Sequence, residues 1–297
     1  MINTDLLFIS TGSDAKLLKS LIASISGNTE GVKVYLLIVN QGPSFKFENK
    51  DPFLEIQILE HGAQISLSAA RNIALKQLFK EEVRAKHLMF PDDDTSFRKD
   101  FFLNYSSLSA KAAYLAKIIN TEDGKDYRKY PQQKLCGRKE LIPWVASVSL
   151  VLPYKIVCEI GFFDPKLGVG AKWGSSEDLD YFLRASQKVE FCFLPDLKTC
   201  HPSRFGKYWQ MKPSQIRNRF KAYTDGYLAV YYRYDLESKL GLFATRALGG
   251  AFISLLKLKP QIAMQYLWLF SYRLQAKAYF RKIKHEDPEK LALEYEF

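Results

Sequence analysis

The sequence predicts an α/β fold in which a mostly parallel, Rossmann-like sheet is flanked by helices and extended at its C-terminus by further helices. Three observations predict it. Short apolar runs alternate with amphipathic helical patterns across the first ninety residues. Polar clusters at 10–13, 40–42 and 91–95 close three of those runs, where an open parallel sheet places its ligands. The last ninety residues lose the strand pattern and become basic, aromatic and helical.

The elements follow in order. Leu6-Leu7-Phe8-Ile9 is a continuous apolar run ended by Ser10-Thr11-Gly12-Ser13, a buried strand and its turn. Leu17, Leu18, Leu21, Ile22 and Ile25 share one helical face, with Ser13 or Asp14 as N-cap. Val34 to Val39 is the next strand and closes on Asn40-Gln41-Gly42; Ile56 to Leu59 is a third. Residues 67–80 repeat a helical pattern. His87 to Phe90 is a fourth strand that runs directly into Pro91-Asp92-Asp93-Asp94. Beyond it, strands are expected at 113–119, 145–152 and 189–194, and helices at 177–185, 213–235, 238–257 and 260–284, with a Gly-rich loop from Gly161 to Gly174.

The chain has 297 residues, 47% of them apolar and 14% aromatic, enough for a sizeable core and unlike a disordered composition. One catalytic domain over 1–205 and a helical extension over 206–297 is the expected division. The net charge of +11 is uneven: residues 201–297 carry +9 and the first 200 only +2. Such a tail suits an anionic surface such as phospholipid head groups, or is simply solvated. Cys136, Cys158, Cys192 and Cys200 form no C-x-x-C pair, so reduced thiols are expected rather than a disulfide framework or zinc cluster. The start lacks the basic-then-apolar order of a secretory signal, and the apolar stretches near 248–256 and 262–270 fall well short of the roughly 20 residues of a bilayer-spanning helix. A cytoplasmic protein, peripheral at the inner face of a membrane, is the resulting expectation.

Three adjacent carboxylates at the end of a buried strand repel one another and are costly unless a cation joins them. Mg²⁺ and Mn²⁺ are hard ions that take oxygen ligands and share them with substrate phosphates. The apolar strand directly before Asp92-Asp93-Asp94 favours a metal site over a solvated acidic turn.

With that triplet, the sequence resembles the family 2 glycosyltransferases of GT-A fold that build bacterial surface polysaccharides. The matching pieces are Ser10-Thr11-Gly12-Ser13, Leu67-Ser68-Ala69-Ala70-Arg71-Asn72-Ile73-Ala74, Phe90-Pro91-Asp92-Asp93-Asp94, Gly161-Phe162-Phe163-Asp164, Leu167-Gly168-Val169-Gly170 and Trp173-Gly174-Ser175-Ser176-Glu177-Asp178-Leu179-Asp180, with Leu183-Arg184 closing the run. Each is weak alone; their order and spacing carry the resemblance.

The resemblance implies roles. Asp92 and Asp94 match the family's D-x-D aspartates and would hold Mn²⁺ or Mg²⁺ against the nucleotide-sugar, with Asp93 alongside. Thr11, Gly12 and Ser13 would lie near base and ribose, and Arg71 close to the nucleotide. Where the family often has Asp-Asp-Gly-Ser, this chain has Asn40-Gln41-Gly42, which leaves dTDP- as well as UDP-linked donors open. Glu177-Asp178 matches the family's Glu-Asp motif, making Asp178 the expected catalytic base and Glu177 its neighbour in that role; both also suit a helix N-terminus. His201 would be a third metal ligand. Trp173 and Asp180 would face the acceptor, a glycan or lipid-linked glycan, although Trp173 suits core packing nearly as well.

In the C-terminal helices, Arg273, Lys277, Arg281 and Lys284 share one helical face, which suits a membrane interface, suits a lipid-linked acceptor equally well, or is the solvated face of an ordinary docking helix. Two other functions were weighed. A sugar-1-phosphate nucleotidylyltransferase uses a similar sheet and metal, but Ser10-Thr11-Gly12-Ser13 has no basic residue before Lys16. Nucleic-acid binding is suggested by the basic, aromatic stretch from Tyr208 to Tyr234, but the acidic crevice argues against it.

Overall fold

The computed structural model describes residues 1–203 and 211–294. It forms two compact units, Met1–Phe163 with Asp178–Ser203, and Asp164–Glu177 with Arg204–Phe297. The domain boundary expected at 205–206 and the residue Tyr208 lie outside the described residues.

In the first unit the chain runs β1 (Ile2–Asn3), β2 (Leu6–Gly12), α1 (Ala15–Ile25), β3 (Val34–Asn40), β4 (Leu54–Glu60), α2 (Leu67–Leu78), β5 (Val83–Arg84), β6 (His87–Met89), α3 (Lys99–Tyr105), β7 (Ala113–Asn120), β8 (Leu135–Cys136), α4 (Arg138–Leu141), β9 (Leu150–Pro153), α5 (Tyr154–Ile160), α6 (Glu177–Ala185, its first residue in the other unit) and β10 (Phe191–His201). Eight strands form one sheet in the order β4-β3-β2-β6-β9-β7-β10-β8. β2 and β3 are uniform apolar runs because both their faces are covered. Asp14 caps α1 by accepting from the Lys16 amide, and Ser66 caps α2 by accepting from Ala69.

The sheet is mostly parallel, with antiparallel pairings where β9 and β8 enter it. β4, β3, β2 and β6 are parallel, and so are β7 and β10. β9 is wedged antiparallel between β6 and β7, and β8 runs antiparallel at the edge. The stretch expected as one strand at 145–152 is divided by a 3₁₀ turn at Ser147–Ser149 before β9. α3 and α5 were not anticipated; at seven residues each, they are too short to display a helical period.

β10 is longer than its sequence pattern. Its pairing with β7 shifts register between Leu194 and Lys198, and Pro195, which has no amide to donate, falls inside that irregularity. The strand therefore continues to His201 instead of stopping at Leu194. Pairing of β8 with β10 sets Cys136 opposite Cys192, and the two are joined by a disulfide. This corrects the expectation of four reduced thiols. Residues 56 apart have no signal in their spacing; strand register brings them together.

The second unit contains α7 (Pro213–Arg233), α8 (Arg246–Leu256) and α9 (Pro260–Glu286). α9 packs against both of the others. Gly226 lets α7 approach the 164–177 loop: a Cβ there would come within 2.4 Å of the Ser175 carbonyl oxygen. The loop is anchored by Asp164, whose fully buried carboxylate pairs with Arg233 at 2.5 Å.

Of the four basic residues expected on one face of α9, two are engaged within the second unit. Arg273 donates to the Phe243 carbonyl and lies over the Phe243 ring, while Lys284 pairs with Asp235 and Glu237. No helix among the described residues is long and apolar enough to cross a membrane.

Candidate active site

The parallel half of the first unit brings the C-terminal ends of β2, β3 and β6 together. Gly12 and Asn40 are register partners, and the Gln41 amide donates to the Gly12 carbonyl at 2.8 Å. The Asp93 carboxylate lies across the end of β2. A Cβ on Gly12 would come within 2.4 Å of Asp93 Oδ2, and a Cβ on Gly42 within 2.0 Å of the Ser13 carbonyl oxygen. Glycine at both positions lets three loops close on one another.

The acidic triplet leaves β6 into a turn in which the Thr95 amide returns to the Asp92 carbonyl. Two backbone hydrogen bonds, Ser96 to Cys200 and Cys200 to Ser96, each 2.9 Å, then tie that turn to the end of β10. This bridge sets His201 beside the triplet. His201 Nε2 lies 3.1 Å from Asp94 Oδ1 and 3.8 Å from Asp92 Oδ2. One ligand atom from each of Asp92, Asp94 and His201 can be chosen so that all lie within 4.8 Å of one another, a group that could hold a metal ion. The donor set fits: two carboxylates and one imidazole suit a hard or borderline divalent ion. The imidazole orientation fits as well. Nδ1 donates to the Pro202 carbonyl at 3.0 Å, which leaves Nε2 facing the carboxylates.

Arg71 is 1% exposed and reaches Asp92 at 3.0 Å, with its guanidinium over the rings of Phe90 and Phe163. Ser147 Oγ donates to the same Asp92 oxygen at 3.3 Å. Burial favours the neutral form of Asp92, but the His201 hydrogen bond and the Arg71 charge outweigh it and hold the carboxyl below its ordinary range. Asp93 has no such cation. Burial first, then the charges of Asp94, Asp92 and Asp14, raise it to about 6. His201 is pulled down by burial, but hydrogen bonds and charges from Asp92 and Asp94 carry it up to about 10.

The remaining sequence-derived candidates are placed differently. Thr11 is buried in β2. Ser13 Oγ accepts from Gln64 at 3.1 Å. Asn40 is fully buried, and its amide group serves the Gly42 and Pro43 backbone and the Glu60 carboxylate. Gln41 accepts from the Ile65 amide at 2.7 Å. Both residues organise the loops themselves. Asp178 is half-buried in the first turn of α6 and accepts from the Leu179 amide at 2.7 Å. Asp180 is 0% exposed and paired with Arg184, which also donates to the Ile160 and Phe162 carbonyls. That geometry makes Asp180 an internal strut of α6. Trp173 and Glu177 are buried residues of the second unit, with Trp173 against the Phe280 ring.

Two neighbours of the acidic group were not legible in the sequence. Ser147 arrives on the 3₁₀ turn before β9, and the Tyr127 ring stands edge-on to His201 at 5.6 Å. Neither sits in a recognisable motif. Their presence depends on β9 and β7 entering the sheet beside β6 and β10.

No protein-family model and no curated protein matches this chain by sequence. Solved structures do match by fold. A crystal structure of S. aureus TarS residues 1–349 has a TM-score of 0.51 at 12% identity, covering 96% of this chain and 91% of that one. The same fragment in complex with UDP-GlcNAc has a TM-score of 0.52 at 12% identity, covering 96% and 92%. A longer TarS structure has a TM-score of 0.53, also at 12% identity, and this chain spans 94% of itself and 55% of that chain. The likeness is one of fold: a central sheet flanked by helices, of the GT-A glycosyltransferase type.

Proposed function

We propose that this chain is a metal-dependent, inverting glycosyltransferase that moves a sugar from a UDP- or dTDP-linked donor to a glycan or lipid-linked glycan acceptor in surface polysaccharide synthesis. One observation carries the reading: Asp92, Asp94 and His201 converge at the C-terminal end of a GT-A-type sheet, with Arg71 buried beside them. The UDP-GlcNAc held by a TarS structure of the same fold supports a nucleotide-sugar as donor.

In this reading Asp92, Asp94 and His201 hold Mn²⁺ or Mg²⁺, which supplies charge neutralisation at the departing diphosphate. Arg71 fixes Asp92 and adds positive charge to the same place. Thr11, Gly12 and Ser13 border the nucleoside, and Asn40 and Gln41 act on it by shaping the loops rather than by direct contact. Asp178, with Glu177 next to it, takes the proton of the acceptor hydroxyl. The new glycosidic C–O bond forms as the anomeric bond to the diphosphate breaks on the opposite face, which inverts the anomeric centre. Residues 1–205 would house this chemistry, and 206–297 would serve the acceptor and the membrane.

The test is a thermal-shift screen of UDP-, dTDP- and GDP-sugars with and without Mn²⁺. Metal-dependent stabilisation by one nucleotide class, lost in Asp94→Ala, is expected. Loss of sugar transfer in Asp178→Asn with donor binding intact would separate base from binding roles. Equal stabilisation with and without metal, or near-full turnover in Asp94→Ala, would overturn the reading.

A further inference from the structure

Among the described residues, the second unit presents an apolar face that nothing covers. α8 buries only Ala247, Ala251 and Ser254. Leu248, Phe252, Ile253, Leu255 and Leu256 all point to solvent, with Leu256 69% and Phe252 63% exposed. Apolar residues are exposed on α9 as well: Met264, Leu267 and Leu274 recur there at three- and seven-residue steps. Between the helices stands Leu258, 87% exposed and in the left-handed region at φ 54°. A leucine there is uncommon, and it turns the chain so that α9 can begin at Pro260. A cleft of about 310 Å³ adjoins this tip, lined by Met211, Ile216, Leu258, Lys259, Pro260 and Ile262 among others. Patches of this extent on a protein surface mark contact sites.

Charge identifies the occupant. From Ser238 to His285 the chain has nine Lys and Arg residues and no Asp or Glu. Lys257 and Lys259 are exposed on either side of Leu258, and Arg246 is exposed at the start of α8. Two copies meeting through this face would bring like charges together, which opposes self-association. An apolar ridge with cations at its edge suits a surface that is apolar inside and anionic at its boundary. At eleven residues α8 is about 16 Å long, roughly half a bilayer core, so it lies in the interface and does not span.

We propose that the α8–α9 hairpin is a membrane-docking device, with Leu258 and the outer face of α8 inserting into the head-group layer of an anionic lipid bilayer. This site differs from the Arg273-to-Lys284 face read from the sequence, two of whose cations are held by partners inside the protein. It rests on, and deepens, the membrane role proposed for residues 206–297, while its test is separate from that of the transfer chemistry, since it concerns where the protein sits and not what it transfers.

The experiment is flotation of the full chain with vesicles of phosphatidylcholine alone or with 30% phosphatidylglycerol. Binding to the anionic vesicles, weak binding to the neutral ones and weakening by 0.5 M salt are expected. Leu256→Asp with Leu258→Asp should lower partitioning at least tenfold, and Lys257→Glu with Lys259→Glu should remove the preference for anionic lipid. Leu103→Asp, at an exposed apolar position on α3, is the control and should float like the parent chain. Thermal melts confirm that each variant folds. The proposal is overturned if the parent chain does not float with anionic vesicles, or if the two leucine substitutions leave flotation unchanged. It is equally overturned if light scattering shows a dimer that Leu256→Asp dissolves, which would assign the face to a second copy.

Discussion

His201 Nε2 lies 3.1 Å from Asp94 Oδ1, while Nδ1 of the same ring donates to the Pro202 carbonyl at 3.0 Å. Without metal the imidazole is a cation held by two carboxylates, with its pKa raised to about 10. The raised value means that this contact stabilises the fold fully below pH of about 6.5, the ordinary histidine range, and loses its contribution as pH rises towards 10. A metal ion must displace that proton. Mn²⁺ binding at pH 7 should therefore release about one proton, and its affinity should rise about tenfold per pH unit. Calorimetry in two buffers of different ionisation enthalpy measures the proton. His201→Gln should abolish the release and weaken Mn²⁺ binding at least tenfold. Release unchanged in that variant would place the proton elsewhere.

Gly12→Ala tests the close approach of β2 to the triplet. The added methyl meets Asp93 Oδ2 and must push that carboxylate aside. Asp93 is a flexible side chain, so the fold should lose less than about 1 kcal/mol. Donor-dependent thermal stabilisation should fall instead. Gly42→Ala is the contrast: its clash is with the Ser13 backbone, so it should cost about 1–3 kcal/mol of stability.

Asp164→Ala removes one partner of the buried pair with Arg233. The guanidinium would keep the Leu291 carbonyl but lose its counter-charge. Loss of one member of a buried pair costs about 3–5 kcal/mol. Asp287→Ala, which breaks a solvent-exposed pair with Lys290, should leave stability close to that of the parent chain. Urea unfolding of the two variants gives the comparison, and similar midpoints would contradict the ranking.

Reduction of Cys136–Cys192 should destabilise the first unit. The bond closes a loop across a separation of 56 residues, for which chain-entropy reasoning gives about 4 kcal/mol. Thiol titration of the denatured, unreduced protein should find two reactive groups, Cys158 and Cys200. Four would show that the bond does not form. Cys136→Ser should lower the melting temperature, and dithiothreitol should not lower it further.

β2 and β3, on one side of the strand that leads into the acidic triplet, were legible because both their faces are covered, which leaves uniform apolar runs. The triplet was legible because its repulsion has a chemical meaning at a strand end. The loop-organising hydrogen bonds of Asn40 and Gln41 were not legible, because an amide bonded to loop backbone and an amide facing a ligand look alike in a sequence. Asp180 shows the same limit: its partner Arg184 is one helical turn away, and only burial shows that the pair is closed. Ser147 beside Asp92 and the antiparallel direction of β9 were illegible because the order and direction of strands in space are decided by long-range pairing. The bare apolar face of α8 was hidden because a pattern of hydrophobic residues does not state whether anything covers them.

The irregularity in β10 makes the position of His201 a matter of counting. Side chains alternate faces along a strand, so the number of residues between Leu194 and Lys198 decides which side of the sheet receives the imidazole. Deleting one residue there would leave Asp92, Asp94 and His201 in the sequence and still take His201 out of reach of Asp94. The kink around Pro195 is a spacer, and its length belongs to the site as much as the aspartates do.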